Sequence, residues 1–155
     1  AVAAINGPAS VTIAGGTAAV AQVCEALTAA GIRTQGLRVS HAFHSALMEP
    51  MLEAFTAVAE TVRYAAPRVG VVSTVTGQRA VGDEVASAAY WRRQIREPVQ
   101  FAAGMRTLAE QGCTVFVEVG PTPTLIGLGQ ACLGAERGTW VPSLRREAPQ
   151  RAPGS

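Results

Sequence analysis

The stretch Cys113-Thr114-Val115-Phe116-Val117-Glu118-Val119-Gly120-Pro121-Thr122-Pro123-Thr124-Leu125 decides the fold class. Val115, Val117 and Val119 alternate with Thr114 and Phe116, the period-two pattern of a strand. Gly120-Pro121 turns the chain. Thr122 and Pro123 then open a helix carrying Leu125, Leu128 and Cys132 at spacings of three and four. A last short strand is predicted over Thr139 to Val141. Strand, helix and strand in this order form the repeating unit of an α/β layer fold with parallel strands.

Working upstream, Pro98 sits at the start of a helix with Phe101, Met105 and Leu108 on one face and Gly112 after it. Glu84 to Ile95 is helical in composition. Val69 to Val75 is a continuous β-branched run, read as a buried strand that Gly77 ends. Pro50 opens a helix with a stripe of Leu52, Phe55, Val58 and Val62. Arg33 to Ser40 contains another short strand. Before it, Thr17 caps a helix with Val20, Val23, Cys24 and Leu27 on one face and Gly31 as its C-terminal signal. Val2 to Asn6 and Ser10 to Ala14 read as two strands around the turn Asn6-Gly7-Pro8. The first part resembles most of a small α+β unit, and a subdomain boundary is expected near Ser40 to His44. Ala148 to Ser155 reads as a linker or tail.

Composition narrows the function classes. The 155 residues are 48% hydrophobic and 15% charged, enough apolar material for a core. The net charge of +2 is too small to argue for nucleic acid or an anionic membrane. No apolar run approaches the roughly 20 residues of a membrane span. The start carries neither a signal peptide pattern nor an initiator Met, so the numbering is expected to begin inside a longer polypeptide. All 13 basic residues are Arg, which with the heavy Ala, Val and Gly usage points to codon bias rather than a binding surface. Cys24, Cys113 and Cys132 read as small buried hydrophobes in a reducing, cytoplasmic setting. Trp91 and the Met and Phe stripe positions read as core. The pairs Arg92-Arg93 and Arg145-Arg146 read as solvated faces, and Gly120-Pro121 as an ordinary turn rather than a phosphate site. The only Asp is Asp83, so a Ser-His-Asp triad within this chain has a single possible acid.

The chain's two histidines, His41 and His44, are three residues apart and precede Ser45. They stand at the end of a strand-like segment, where α/β folds keep reacting groups. Imidazole titrates near neutrality and can act as a general base. Three readings stay open from spacing alone: a catalytic base, a structural pair bonded to backbone carbonyls, or half of a metal site with Glu49 as the nearest carboxylate. A self-sufficient hydrolase is disfavoured, because no Gly-x-Ser-x-Gly elbow occurs.

The string Val39-Ser40-His41-Ala42-Phe43-His44-Ser45-Ala46-Leu47-Met48 resembles the active-site loop of acyltransferase domains in modular type I polyketide synthases, which are malonyl-CoA:acyl carrier protein transacylase-like. Ala4-Ile5-Asn6-Gly7-Pro8 with Ser10-Val11-Thr12-Ile13-Ala14-Gly15, Tyr90-Trp91 through Gln94-Ile95-Arg96-Glu97-Pro98-Val99-Gln100-Phe101, and Val117-Glu118-Val119-Gly120-Pro121 resemble further motifs of that family in the same order. The resemblance covers the chain up to about Arg146.

It implies an α/β fold: part of an α/β-hydrolase-like large subdomain plus an incomplete ferredoxin-like α+β small subdomain. On this division residues 1–40 are the C-terminal part of the small subdomain, 41–147 belong to the large one, and 148–155 are linker or tail. It also implies ping-pong transfer of a malonyl unit from malonyl-CoA to the phosphopantetheine thiol of an acyl carrier protein. His44 matches the family's catalytic histidine, and Gln94 matches the position whose backbone carbonyl orients it. His41, Ala42 and Phe43 match the extender-unit selectivity positions, in the malonyl pattern. The family's serine elbow, carboxylate-binding arginine and oxyanion-hole glutamine would lie upstream, so this chain alone is expected to be inactive. No cofactor or metal is expected on this chain. The implied partners are the acyl carrier protein, the missing N-terminal half of the domain and neighbouring synthase domains. Two alternatives stand beside this reading: a non-catalytic remnant that binds a carrier protein, and a metal-binding α/β domain using His41, His44 and Glu49.

Overall fold

Strand β1 (Val2–Gly7) runs antiparallel to β2 (Ser10–Ile13), with Gly7 opposite Ser10, so that Pro8 and Ala9 make the corner. The fixed φ of proline suits the first corner position. These and the following elements come from a computed structural model, which describes residues 1–144. On its other edge β1 receives Val99: the Val99 N–H donates to Ala3 O at 2.8 Å and the Ile5 N–H to Val99 O at 2.8 Å. The hairpin is therefore tied to the second part of the chain.

Helix α1 (Thr17–Ala29) has Gly16, not Thr17, at its N-cap and makes no side-chain cap there. It stops where the sequence indicates. Gly31, at φ 77°, donates to Thr28 O while Ile32 donates to Leu27 O, the paired bonds of a Schellman ending. Helix α4 (Phe101–Glu110) ends the same way at Gly112, with bonds from Gly112 to Ala109 O and from Cys113 to Leu108 O. Between them lie α2 (Glu49–Glu60), with Pro50 in its first turn, and α3 (Ala88–Arg96), capped by Ser87 Oγ accepting from the Tyr90 N–H. Residues 84–87 form a turn before α3 rather than its first turn.

The C-terminal third is the expected parallel unit. Strand β3 (Val115–Glu118), helix α5 (Leu125–Leu133) and strand β4 (Thr139–Pro142) form a β-α-β unit, with Phe116 opposite Trp140 and their rings stacked 4.4 Å apart. The chain is thus mixed α/β, as expected. Among the described residues no helix is long and apolar enough to cross a membrane.

Two predicted strands are absent. Residues 33–39 form no regular element, and Leu37 and Val39 stand exposed. A strand needs a ladder partner, and none lies beside this segment. The run Val69 to Val75 is likewise irregular. It bends back on itself, with Val72 bridging Arg79 and the Ser73 N–H donating to Gln78 O at 2.8 Å. Pro98 is not helical either, since residues 98–100 extend alongside β1 and α4 begins at Phe101.

The core is small: Ala3, Met48, Leu52, Ala59, Val75, Tyr90, Ala102 and Met105. Helix α2 buries Leu52 and Ala59, while the expected stripe members Val58 and Val62 face outward. Helix α1 buries no residue. Trp91 is exposed rather than core, Cys113 is exposed, and Cys24 and Cys132 are only half-buried. The Cys132 thiol donates to Asn6 O at 3.3 Å, and partial burial pushes its pKa up. The predicted tail at 148–155 and the Arg145-Arg146 pair lie outside the described residues.

Glu118 fixes the β3–α5 turn. Its Oε1 accepts from the Thr124 and Leu125 N–H groups at 2.9 and 3.0 Å, and its Oε2 from Ile126 at 2.9 Å. These are the orphan donors of a helix start, where negative charge is also favoured by the dipole. The Leu125 N–H above all, with those of Ile126 and Thr124, holds the Glu118 carboxyl below the usual carboxylate range. A carboxylate lowered by folding stabilises above its unfolded pKa, and that stabilisation is lost as pH falls through the folded value. Glu118→Gln is therefore expected to lower Tm at pH 7, with the gap to the unmodified protein closing toward pH 3. Thermal unfolding at the two pH values checks this.

Candidate active site

The site is built on the end of α3. A proline at 98 has no N–H to offer the Gln94 carbonyl, and it disfavours helical dihedrals at Glu97. Glu97 accordingly caps α3 in an extended conformation, φ −82° and ψ 152°. The Val99 N–H, the helical partner that Ile95 O would have had, goes to Ala3 O instead. The carbonyls of Ile95 and Glu97 are among those thereby left for another segment.

His44 takes both. Its backbone N–H donates to Ile95 O at 2.9 Å, and its ring Nδ1 lies 2.8 Å from Glu97 O. A carbonyl can only accept, so in the neutral ring Nδ1 carries the proton and Nε2 keeps its lone pair. His44 has φ 63°, the only left-handed non-glycine among the described residues. Such a conformation costs on the order of 1–3 kcal/mol, and the two bonds offset it at roughly 1 kcal/mol each. The half-buried ring thus has one nitrogen anchored and one available.

This geometry corrects one expectation. The carbonyl bonded to the His44 ring belongs to Glu97, not Gln94. Gln94 lies inside the last turn of α3, and its side chain instead accepts from Thr74 Oγ1 at 3.4 Å. The sequence held the signal for Glu97, since the residue before a proline leaves the helix and frees its carbonyl.

The neighbours fall into distinct roles. Ser45 is buried; its Oγ donates to Ala42 O at 2.6 Å and accepts from the Leu47 N–H at 3.3 Å, capping the short 3₁₀ turn Ala46–Met48. A hydroxyl so committed is no nucleophile. Phe43 is 47% exposed, with its ring centroid 6.3 Å from that of His44 and 6.4 Å from that of His41. Ala42 is half-buried, and His41 is exposed with Nδ1 2.9 Å from Ser40 Oγ. Glu49 does not join the histidines. It pairs with Arg96 at 2.9 Å, tying the start of α2 to the end of α3. Among the described residues no group of three or more His, Cys, Asp or Glu could hold a metal ion. At the other motif, the Gly120 N–H is taken by Ser143 Oγ at 3.0 Å, so it is no free anion donor.

Arg92 and Arg93 stand exposed on α3, as expected of a solvated face, and both are engaged in hydrogen bonds that the sequence does not indicate. Arg93 Nε and Nη2 donate to Glu97 Oε1 and Oε2 at 2.7 and 3.0 Å. The bond to Arg93 holds the Glu97 carboxyl below its ordinary range, and the bond to Glu97 raises the Arg93 guanidinium. Both side chains are more than a third exposed, so the pair adds only about 0.2–1 kcal/mol to stability. Arg92 Nη1 donates to Thr56 Oγ1 at 3.3 Å. Arg92, Arg93, Arg96 and Glu97, with Glu49 and Leu52, line an open cleft of about 350 Å³.

Comparison with known proteins places these features in a family. A family model described as an acyl transferase domain matches residues 1–153. Polyketide synthase GfsA of Streptomyces halstedii is 52% identical over 140 residues, which is 89% of this chain and 2% of GfsA. Mycoketide-CoA synthase of Mycobacterium tuberculosis is 46% identical over 151 residues, 97% of this chain and 4% of that protein. The acyltransferase domain from the second module of the salinomycin polyketide synthase superimposes with a TM-score of 0.89 at 47% identity, over 96% of this chain and 35% of that one. A malonyl-CoA:acyl carrier protein transacylase from Xanthomonas oryzae superimposes with a TM-score of 0.83 at 27% identity, over 94% of this chain and 46% of that one. The chain therefore spans a small part of the curated relatives and under half of the solved domains.

The capping role of Ser45 has a direct consequence. Ser45→Ala is expected to destabilise the protein by about 1 kcal/mol, the usual cost of a lost cap. Chemical denaturation measures it as a lower midpoint at unchanged slope.

Proposed function

The chain belongs to the acyl transferase domain family of polyketide synthases, and on that premise we propose that His44 is the general base of a malonyl transfer reaction. The observation that carries this is the bond from His44 Nδ1 to Glu97 O, which fixes the tautomer and leaves Nε2 as the acceptor. The nucleophile is a serine in an elbow of the parent protein outside these residues. Nε2 takes the serine proton as the oxygen attacks the thioester carbon of malonyl-CoA. The imidazolium returns that proton to the departing CoA sulfur, leaving a malonyl-serine ester. The phosphopantetheine thiol of the acyl carrier protein then gives its proton to Nε2 and attacks the ester, and the serine oxygen is reprotonated as it leaves.

This chain binds no cofactor of its own in the reading. It supplies the base and part of the pocket wall. Residues 1–40 are the C-terminal part of a ferredoxin-like small subdomain and 41–147 part of the large one. His44 then stands where the chain passes from one to the other. By itself the chain forms no acyl-enzyme, because the serine is absent from it.

Phe43 narrows the space beside the reacting centre, where an α-methyl group on the substrate would sit. Its exposure next to the His44 ring supports that role, with His41 and Ala42 shaping the same edge. One methyl group is worth about 1–3 kcal/mol of discrimination in such a pocket.

Two measurements on the intact parent domain test the reading. His44→Ala is expected to slow malonyl transfer by about 10²–10⁴-fold, the usual worth of general-base help. Near-normal loading in that variant would remove His44 from the role. Phe43→Ser is expected to raise methylmalonyl loading relative to malonyl by roughly 10-fold or more. An unchanged ratio of the two loading rates would remove Phe43 from selectivity.

A further inference from the structure

The proposed mechanism uses the main chain of Glu97 and leaves its side chain without a part. That side chain is held more firmly than a surface residue requires. The Glu97 N–H donates to Arg93 O at 2.7 Å, and its two carboxylate oxygens accept from Arg93 Nε and Nη2 at 2.7 and 3.0 Å. Three bonds thus join Glu97 to one residue a turn earlier.

Glu97 needs an external hold. Its N–H closes the last helical bond, but its carbonyl lies beyond the ladder, and the next residue, Pro98, cannot donate a backbone bond that would fix the following peptide. The direction of the Glu97 carbonyl therefore depends on the dihedrals of Glu97 itself. A bidentate guanidinium–carboxylate pair fixes orientation as well as distance, which a single-point contact does not. The carbonyl so directed is the acceptor for His44 Nδ1.

We infer that Arg93 is a positioning residue for His44: by clamping the Glu97 carboxylate it sets the direction of the Glu97 carbonyl, and through it the tautomer and aim of the imidazole. The inference rests on His44 acting as the base. Catalytic groups tolerate errors of about 0.5 Å and 10–20°, so a loosened carbonyl is felt in the rate even where the fold is unaffected. Arg93 touches neither His44 nor the reacting atoms, and its effect passes through Glu97 alone. The second pair, Arg96 with Glu49, ties α2 to the end of α3 and does not involve Arg93.

The test uses the intact acyltransferase domain of the parent synthase, with malonyl-CoA as donor and a phosphopantetheinylated carrier protein as acceptor. Arg93→Ala is expected to lower kcat about 3–10-fold while KM stays within twofold, since misplacement of a catalytic group costs rate up to about 10²-fold. The ¹⁵N chemical shifts of His44, assigned by comparison with His44→Ala, are expected to move from a pure Nδ1–H tautomer toward a mixture. Arg93→Lys, which restores charge without the fork, is expected to fall between. Glu97→Gln should reproduce the Arg93→Ala effect, and the double variant should be no slower than either. Should Arg93→Ala fail to fold, Glu97→Gln carries the same readouts. A kcat within twofold of normal, or an unchanged His44 tautomer, overturns the inference. His44→Ala separates the two levels: if that variant transfers malonyl normally, the base assignment itself is wrong. If His44→Ala is dead while Arg93→Ala and Glu97→Gln are normal, only the positioning role is lost.

Discussion

The interaction on which the candidate site depends is the capture of the frayed end of α3 by His44. One proline sets it up. Because Pro98 cannot continue the helix, the carbonyls of Ile95 and Glu97 are left without helical donors. A released carbonyl inside a partly buried region must find a donor. His44 supplies two, one from its backbone and one from its ring, and accepts a left-handed backbone to do so. The same contact closes the loop from Ser40 to Met48 onto α3 and determines which imidazole nitrogen is free. Fold and chemistry meet in one pair of hydrogen bonds.

The distribution of apolar residues bears on the scale of the unit. Among the described residues the buried set holds eight hydrophobic residues, whereas Val115, Val117 and Val119 all face solvent from one side of β3 and its continuation. An apolar cavity of about 280 Å³ opens nearby, lined in part by Met105, Phe116 and Trp140. Contiguous apolar surface of this kind marks a contact region rather than a finished exterior.

Much of the fold was legible because the relevant physics is local. Gly31 and Gly112 end their helices since only a residue at ease with positive φ completes the Schellman bonds there. The alternation in Val115–Glu118 and the Gly120-Pro121 turn gave β3 and α5 correctly for similar reasons. The predicted strands at Arg33 to Ser40 and Val69 to Val75 failed because β-branched composition makes a segment fit for a sheet without supplying a neighbour. Stripe predictions failed in α1 and at Val58 and Val62 for a related reason. Periodicity shows which face could be buried, not whether anything lies against it.

The site divides along the same line. The sequence by itself determined that His44 stands in a loop before a helix, that Phe43 precedes it, that a helix reaches Ile95, and that the motifs resemble one family. Each of these follows from residue identity and near-neighbour sterics. Only the tertiary structure decided that Glu97 rather than Gln94 presents the carbonyl to the His44 ring, and that Glu49 belongs to Arg96. Those facts depend on groups up to 53 residues apart meeting at hydrogen-bond distance. No local propensity encodes such a meeting, because it is fixed by how α2 and α3 pack and not by either segment alone.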